Sequence, residues 1–168
     1  MLIITGSMGA GKSAVLAEAS DLLSRRRIVH AAIDLDALGM AHLPSALPSD
    51  DVMYDNLRSI ARNYAVLGVQ RFLVARALET HAQLNLCREI VPAAHIVVCR
   101  LTASIAAMQQ RVQLREPGIS QRELIARVAE LNAILDRSQL DDFAVLNENR
   151  PLTEVALEML LRADWISS

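Results

Sequence analysis

Lysine is nearly missing from this chain: of its 17 basic residues, 16 are arginines and only Lys12 is a lysine. A compact ammonium and a planar guanidinium do different jobs, so the one lysine marks a position where arginine would serve poorly. Cysteine is almost as scarce. Cys87 and Cys99 stand in apolar segments without metal-ligand spacing and read as reduced core thiols of a cytoplasmic protein. The histidines at 30, 42, 81 and 95 also lack the spacing of a metal site. His30 and His95 fall inside strand patterns, which makes them core residues, and His42 lies in a loop. Aromatic residues make up 3% and the net charge is −2, so a basic stripe with interleaved aromatics, the mark of a nucleic-acid partner, is missing. No apolar run approaches the ~18 residues of a membrane span, and no charged leader precedes an apolar stretch. Neither a membrane partner nor a signal peptide is expected.

With 52% hydrophobic and 21% charged residues, the 168 residues suffice for one soluble domain with a substantial core. There is no internal repeat, low-complexity tract or linker, so residues 1–168 read as a single domain. Lys12 falls in Gly6-Ser7-Met8-Gly9-Ala10-Gly11-Lys12-Ser13, which fits G-x-x-x-x-G-K-[ST] at every fixed position. The β-branched run Leu2-Ile3-Ile4 precedes it and helix formers from Ala14 to Ala19 follow, the strand, loop and helix that the pattern requires. Glycines let the backbone turn its N–H groups inward around a phosphate, and the opening helix adds the positive end of its dipole. Residues 6 to 14 are therefore a candidate triphosphate cradle, with the Lys12 ammonium at the β- and γ-phosphates and the Ser13 hydroxyl on Mg²⁺. A ligand-free glycine turn is the bland alternative; four fixed positions and both flanks argue against it.

Hydrophobic periodicity places strands near 2–5, 28–33, 71–75, 95–100 and 143–146. Helices are expected near 11–25, 51–67, 80–90, 103–115, 120–137 and from Pro151 to Trp165. Thr80 to Gln83 and Ser120 to Glu123 have capping-box form, Thr102 is a natural N-cap, and Gly68 a C-cap. Pro92 and Pro117-Gly118 stop helices, and Pro44 to Ser49 reads as a loop over the active-site face. Arg25-Arg26-Arg27 is the solvated end of the first helix. Alternating strands and helices give an α/β fold, a doubly wound and mainly parallel sheet under right-handed crossovers. Ligands of such sheets bind beyond the carboxyl ends of the strands. The glycine loop, Asp34 to Asp36, Ala75 to Glu79 and Asn147 to Arg150 all leave that edge.

Three constellations carry possible chemistry. Asp34 and Asp36 lie two apart at a strand end and can face the phosphate from one side, Asp34 toward the metal and Asp36 as base or substrate ligand. Merely capping a loop or the next helix is their bland alternative. The third strand ends without a carboxylate before Glu79, so the metal falls to Asp34 or to Glu79 reaching back; Asp34, directly after an apolar strand, is preferred. Arg111 and Arg115 share a helix face and, with Arg122 and Arg127, flank the Pro117-Gly118 break. On a segment that closes over the triphosphate, Arg111 and Arg115 would stabilise the moving phosphoryl group; on a solvated helix they would pair with glutamates such as Glu116 and Glu123. Asn147 and Arg150 follow the last strand and either edge an adenine base or form a plain loop. Arg58, Arg62, Asn63 and Tyr64 could line an acceptor pocket, although a surface helix carries such residues routinely.

These features resemble the small P-loop kinases, which include nucleoside monophosphate, shikimate, gluconate and adenylylsulfate kinases and chloramphenicol phosphotransferases. The glycine loop, Asp34-Leu35-Asp36, Arg111 and Arg115 before a break, and Asn147 to Pro151 before the last helix carry the likeness. It implies a three-layer fold with a five-stranded sheet of order 2-3-1-4-5, ATP as donor, Mg²⁺, and a lid around residues 111–127. The shikimate-kinase pattern would make Asp34 the metal-side and Asp36 the substrate-side carboxylate, with Arg111 and Arg115 as lid arginines. The chain lacks the Gly-rich acceptor signatures and the Asp-Gly-Asp of adenylylsulfate kinases, which leaves the acceptor open. The expected activity is an ATP-dependent phosphotransferase acting on a small molecule, at a hydroxyl because Asp36 offers a base. A nucleoside monophosphate kinase would instead hold its acceptor phosphate with Arg58 and Arg62. The competing class is a nucleotide-dependent switch or ATP-binding regulatory module, for which no Asn-Lys-x-Asp base-reading motif is present. A monomer or homodimer is expected.

Overall fold

The computed structural model describes residues 1–41, 49–91 and 95–167. His42, the loop from Pro44 to Pro48, and Pro92 lie outside the described residues. The chain runs β1 (Leu2–Thr5), α1 (Lys12–Arg25), β2 (Ala31–Asp34), α2 (Leu35–Leu38), α3 (Ser49–Val66), β3 (Phe72–Ala75) and α4 (His81–Ile90). It continues through β4 (Val97–Thr102), α5 (Ile105–Arg115), α6 (Gln121–Ser138), β5 (Phe143–Leu146) and α7 (Leu152–Arg162). The strands form one all-parallel sheet of order β2-β3-β1-β4-β5. Helices cover both faces, which makes the fold a three-layer α/β sandwich.

Strand side chains alternate between faces, and β1 shows the result most clearly. Leu2 and Ile4 enter a core built with α1, α5, α6 and α7, while Ile3 enters a second core built with α3 and α4. All three are fully buried, as expected of a central parallel strand covered on both faces. The helices meet the sheet through stripes of 3.6-residue period. Val15, Leu16, Ala19, Leu22 and Leu23 of α1 pack beside Val155, Ala156, Met159 and Leu160 of α7.

Several boundaries differ from the sequence reading. β2 starts at Ala31, later than Ile28, because Arg27 at φ +57° makes a turn in which the Ile28 N–H caps the Leu23 carbonyl. His30 is no core residue: only partly buried, it bonds the Ser20 hydroxyl and the Ile28 carbonyl. Thr102 belongs to β4, and Ser104 caps α5 by accepting from the Ala107 N–H at 3.2 Å. The Thr80 capping box forms with both of its bonds, whereas Ser120 sits in helical backbone geometry and makes no side-chain cap. Cys87 and Cys99 are buried, and burial pushes their thiols up to about 11 and about 12. No described helix is long and apolar enough to cross a membrane.

Candidate active site

The glycine loop joins β1 to α1 at the carboxyl edge of the sheet, and its neighbours leave no room for side chains. Gly9 sits at φ +75°, where an added Cβ would fall 2.2 Å from the Met108 carbonyl oxygen. At Gly11, φ +96°, it would fall 2.3 Å from Nδ2 of Asn147. Glycine alone tolerates both the left-handed backbone and the approach. Lys12 folds back over the loop, donating from Nζ to the carbonyls of Gly6 at 3.1 Å and Ser7 at 3.2 Å. Desolvation lowers its pKa from the ordinary 10.5, while Asp36 and Asp34 draw it back up.

A cleft of about 430 Å³ opens over this loop, lined by Gly9, Gly11, Lys12, Ser13 and Ala14 together with Asp36, Arg111 and Arg115. Met8 also lines it. Gly6, Ser7 and Ala10 are buried behind it as the loop's framework. Ser7 turns its hydroxyl away and donates to the Val128 carbonyl of α6 at 2.8 Å, so only its backbone remains for a ligand. A larger cavity of about 690 Å³ lies at the opposite, amino-terminal edge of the sheet around Phe72, Val97 and Trp165. It holds neither a glycine loop nor the aspartate pair, so the smaller cleft is the chemically equipped one.

Ser13 Oγ donates to Oδ2 of Asp34 at 2.5 Å, setting two hard oxygens side by side at the loop's end. That donor set suits Mg²⁺, which takes one or two protein oxygens and fills its shell with phosphate and water. The described residues hold no group of three or more His, Cys, Asp and Glu placed to bind one metal ion, so among them no all-protein metal cage competes. Asp34 also caps α2 through Oδ1, which accepts from the Asp36 N–H at 3.2 Å; the bland role and the oxygen pair coexist in one carboxylate. Glu79 is committed elsewhere, its Oε2 accepting from Arg127 of α6 at 2.8 Å.

Asp36 faces the cleft, about half exposed, with Oδ1 accepting from Nη1 of Arg76 at 2.5 Å. The sequence reading missed Arg76. It follows β3 directly, at the edge where ligands of such sheets bind, and that position was the available signal. Its Nη2 reaches Oδ1 of Asp50 at 3.3 Å, and Gln83 Nε2 donates to the other Asp50 oxygen at 3.4 Å.

Of the two expected lid arginines, Arg115 is 62% exposed and among the described residues pairs only with the adjacent Glu116 at 2.8 Å. Arg111 is a clamp, donating to the Gly9 carbonyl at 3.1 Å and the Asn147 carbonyl at 2.8 Å. Two sequence expectations need correction. The Asn147 side chain does not edge a base; buried, it donates to the Ala10 carbonyl at 2.8 Å and braces the loop from behind. Arg150 turns away to Glu158 of α7 at 2.6 Å and does not line the cleft. On α3, Arg58 pairs with Asp55 of its own helix, and Arg62 is exposed.

No protein-family model and no curated protein sequence matches the chain. Solved structures do match its fold over nearly its whole length. A shikimate kinase from Acinetobacter baumannii in complex with shikimate aligns at TM-score 0.64 and 16% identity, over 98% of this chain and 92% of its own. A gluconokinase from Sinorhizobium meliloti 1021 aligns at 0.60 and 21%, over 96% and 91%. The Mycobacterium tuberculosis APS kinase in complex with AMPPNP and APS aligns at 0.63 and 18%, over 97% and 96%. The chain thus has the fold of the small P-loop kinases.

Proposed function

We propose that the protein is an ATP-dependent phosphotransferase that phosphorylates a hydroxyl of a small molecule. One observation carries this reading: a single cleft brings the Lys12 loop and the carboxylate of Asp36 together. A module that only binds nucleotide needs the loop alone. Phosphoryl transfer needs, in addition, a group that orients the attacking oxygen. Similar folds that bind shikimate, or AMPPNP with APS, support a nucleotide donor beside a small acceptor.

The chain's residues then take the following parts. Backbone N–H groups of residues 9–14 and the start of α1 hold the phosphates, and Lys12 leaves its carbonyl partners to follow the β- and γ-phosphates. Ser13 and Asp34 would hold Mg²⁺, which supplies charge neutralisation and orientation of the phosphates when bound. Asp36 accepts the acceptor's hydroxyl proton on Oδ2, while Arg76 holds Oδ1 and fixes the carboxylate's direction. Arg115 is free to swing toward the transferring group. A nucleoside monophosphate kinase is less well supported, since Arg58 is engaged by Asp55.

Lys12→Ala should lower acceptor-dependent transfer by at least ~100-fold with the melting temperature preserved. Asp36→Asn should lower kcat by ~100-fold or more with the KM for ATP unchanged. Steady-state kinetics check both, and normal turnover by Lys12→Ala would sink the loop assignment.

A further inference from the structure

We propose that the acceptor carries hydroxyl groups but no negative charge, as in a neutral polyol or a protonated amino alcohol, and that Asp50 sets this preference. The inference rests on the kinase reading above and deepens it. Two cations at the carboxyl edge of the sheet are each shared between two carboxylates. Arg76 lies between Asp36 and Asp50, and Arg127 lies between Glu79 and Glu130 at 2.8 and 2.6 Å. Arg76 is also no free arm: its side chain is 19% exposed and its Nε is buried. Beside it the buried Tyr54 hydroxyl has no partner, and burial raises its pKa, so it remains a neutral donor.

Around this point three carboxylates, Asp36, Asp50 and Glu79, outnumber two guanidinium groups. Lys12 and Arg115 sit at the phosphate loop, in the cleft already assigned to the donor. A carboxylate or phosphate on the acceptor would therefore find Arg76 and Arg127 already compensated and would stand beside Asp50, about half exposed. Like charges at such range repel, and an anion that displaced Asp50 from Arg76 would leave that carboxylate without its counter-charge. Hydroxyls suffer neither penalty, since they donate to carboxylates and accept from guanidinium. A protonated amine gains from the excess negative charge.

The test compares acceptors that differ in charge on one skeleton: glycerol with glycerate, glucose and glucosamine with gluconate and glucose 6-phosphate, adenosine with AMP. The preferred skeleton should show a kcat/KM at least tenfold higher for its neutral or amino member than for its acid or phosphate. Asp50→Asn leaves Arg76 one counter-charge short and should cut that ratio at least tenfold without moving the KM for ATP. Asp51→Asn, one residue along α3 and exposed, should leave the ratio where it was. If Asp50→Asn is too unstable to assay, the wild type still decides: the KM of an amino acceptor should rise with salt more than that of its neutral counterpart. Efficient transfer to an acid or phosphate in preference to its neutral counterpart would overturn the inference and leave the kinase reading standing. Acceleration of ATP consumption by no member of the panel would overturn the kinase reading and the inference with it.

Discussion

One turn of α5 separates Arg111 from Arg115, and the two are bonded differently. Arg111 ties the Gly9 carbonyl to the Asn147 carbonyl, whereas Arg115 hydrogen-bonds, among the described residues, only Glu116. Arg115→Ala should therefore lower kcat while stability and ATP affinity hold. Arg111→Ala should weaken ATP binding and lower stability by about 1–3 kcal/mol, because it strips charged donors from two loop carbonyls. Isothermal titration with a non-hydrolysable ATP analogue, together with urea denaturation, separates the two; equal effects would mean that both are lid arginines. The loop was legible from Gly6 to Ser13 because its chemistry is written in contiguous residues. Asn147 was misread because its true partner, the Ala10 carbonyl, lies 137 residues away and is a backbone group that no sequence pattern advertises.

Helix ends test how far local pattern determines local structure. Thr80 and Ser120 both open a sequence of capping-box form, but only the first closes. Thr80 has the extended backbone that aims its hydroxyl at N3, while Ser120 is itself helical at φ −80°, ψ −2° and points elsewhere. Thr80→Ala should cost about 1 kcal/mol in urea denaturation, and Ser120→Ala only a few tenths. The same limit explains Thr102. Parallel pairing with Leu146 extends β4 through Thr102, and the cap passes to Ser104. Elements of strong period were thus readable, while their ends were decided by neighbours distant in sequence.

Across the whole molecule, the alternation of strands and helices made the doubly wound parallel sheet readable, since each apolar strand must be covered on both faces, while its strand order followed only from the resemblance to the small P-loop kinases. The Asp36–Arg76–Asp50 chain was not readable, because it joins α2, the end of β3 and α3 through charges that look like ordinary surface residues in sequence. The two core thiols report on the integrity of this assembly. With pKa values pushed up to about 11 and about 12 against an ordinary 9.0, they stay protonated where an unfolded chain ionises, so stability should fall as pH rises past 9. At pH 8, Ellman's reagent should find neither Cys87 nor Cys99 in the folded protein and both in denaturant. Reaction of either in the folded state would contradict the packing described. The kinase reading itself meets its most direct test in ³¹P NMR of the protein with Mg²⁺, ATP and the acceptor panel. A new phosphomonoester resonance growing as the γ-phosphate signal declines, and absent with Lys12→Ala, is the predicted result. Inorganic phosphate as the sole product with every acceptor would contradict it.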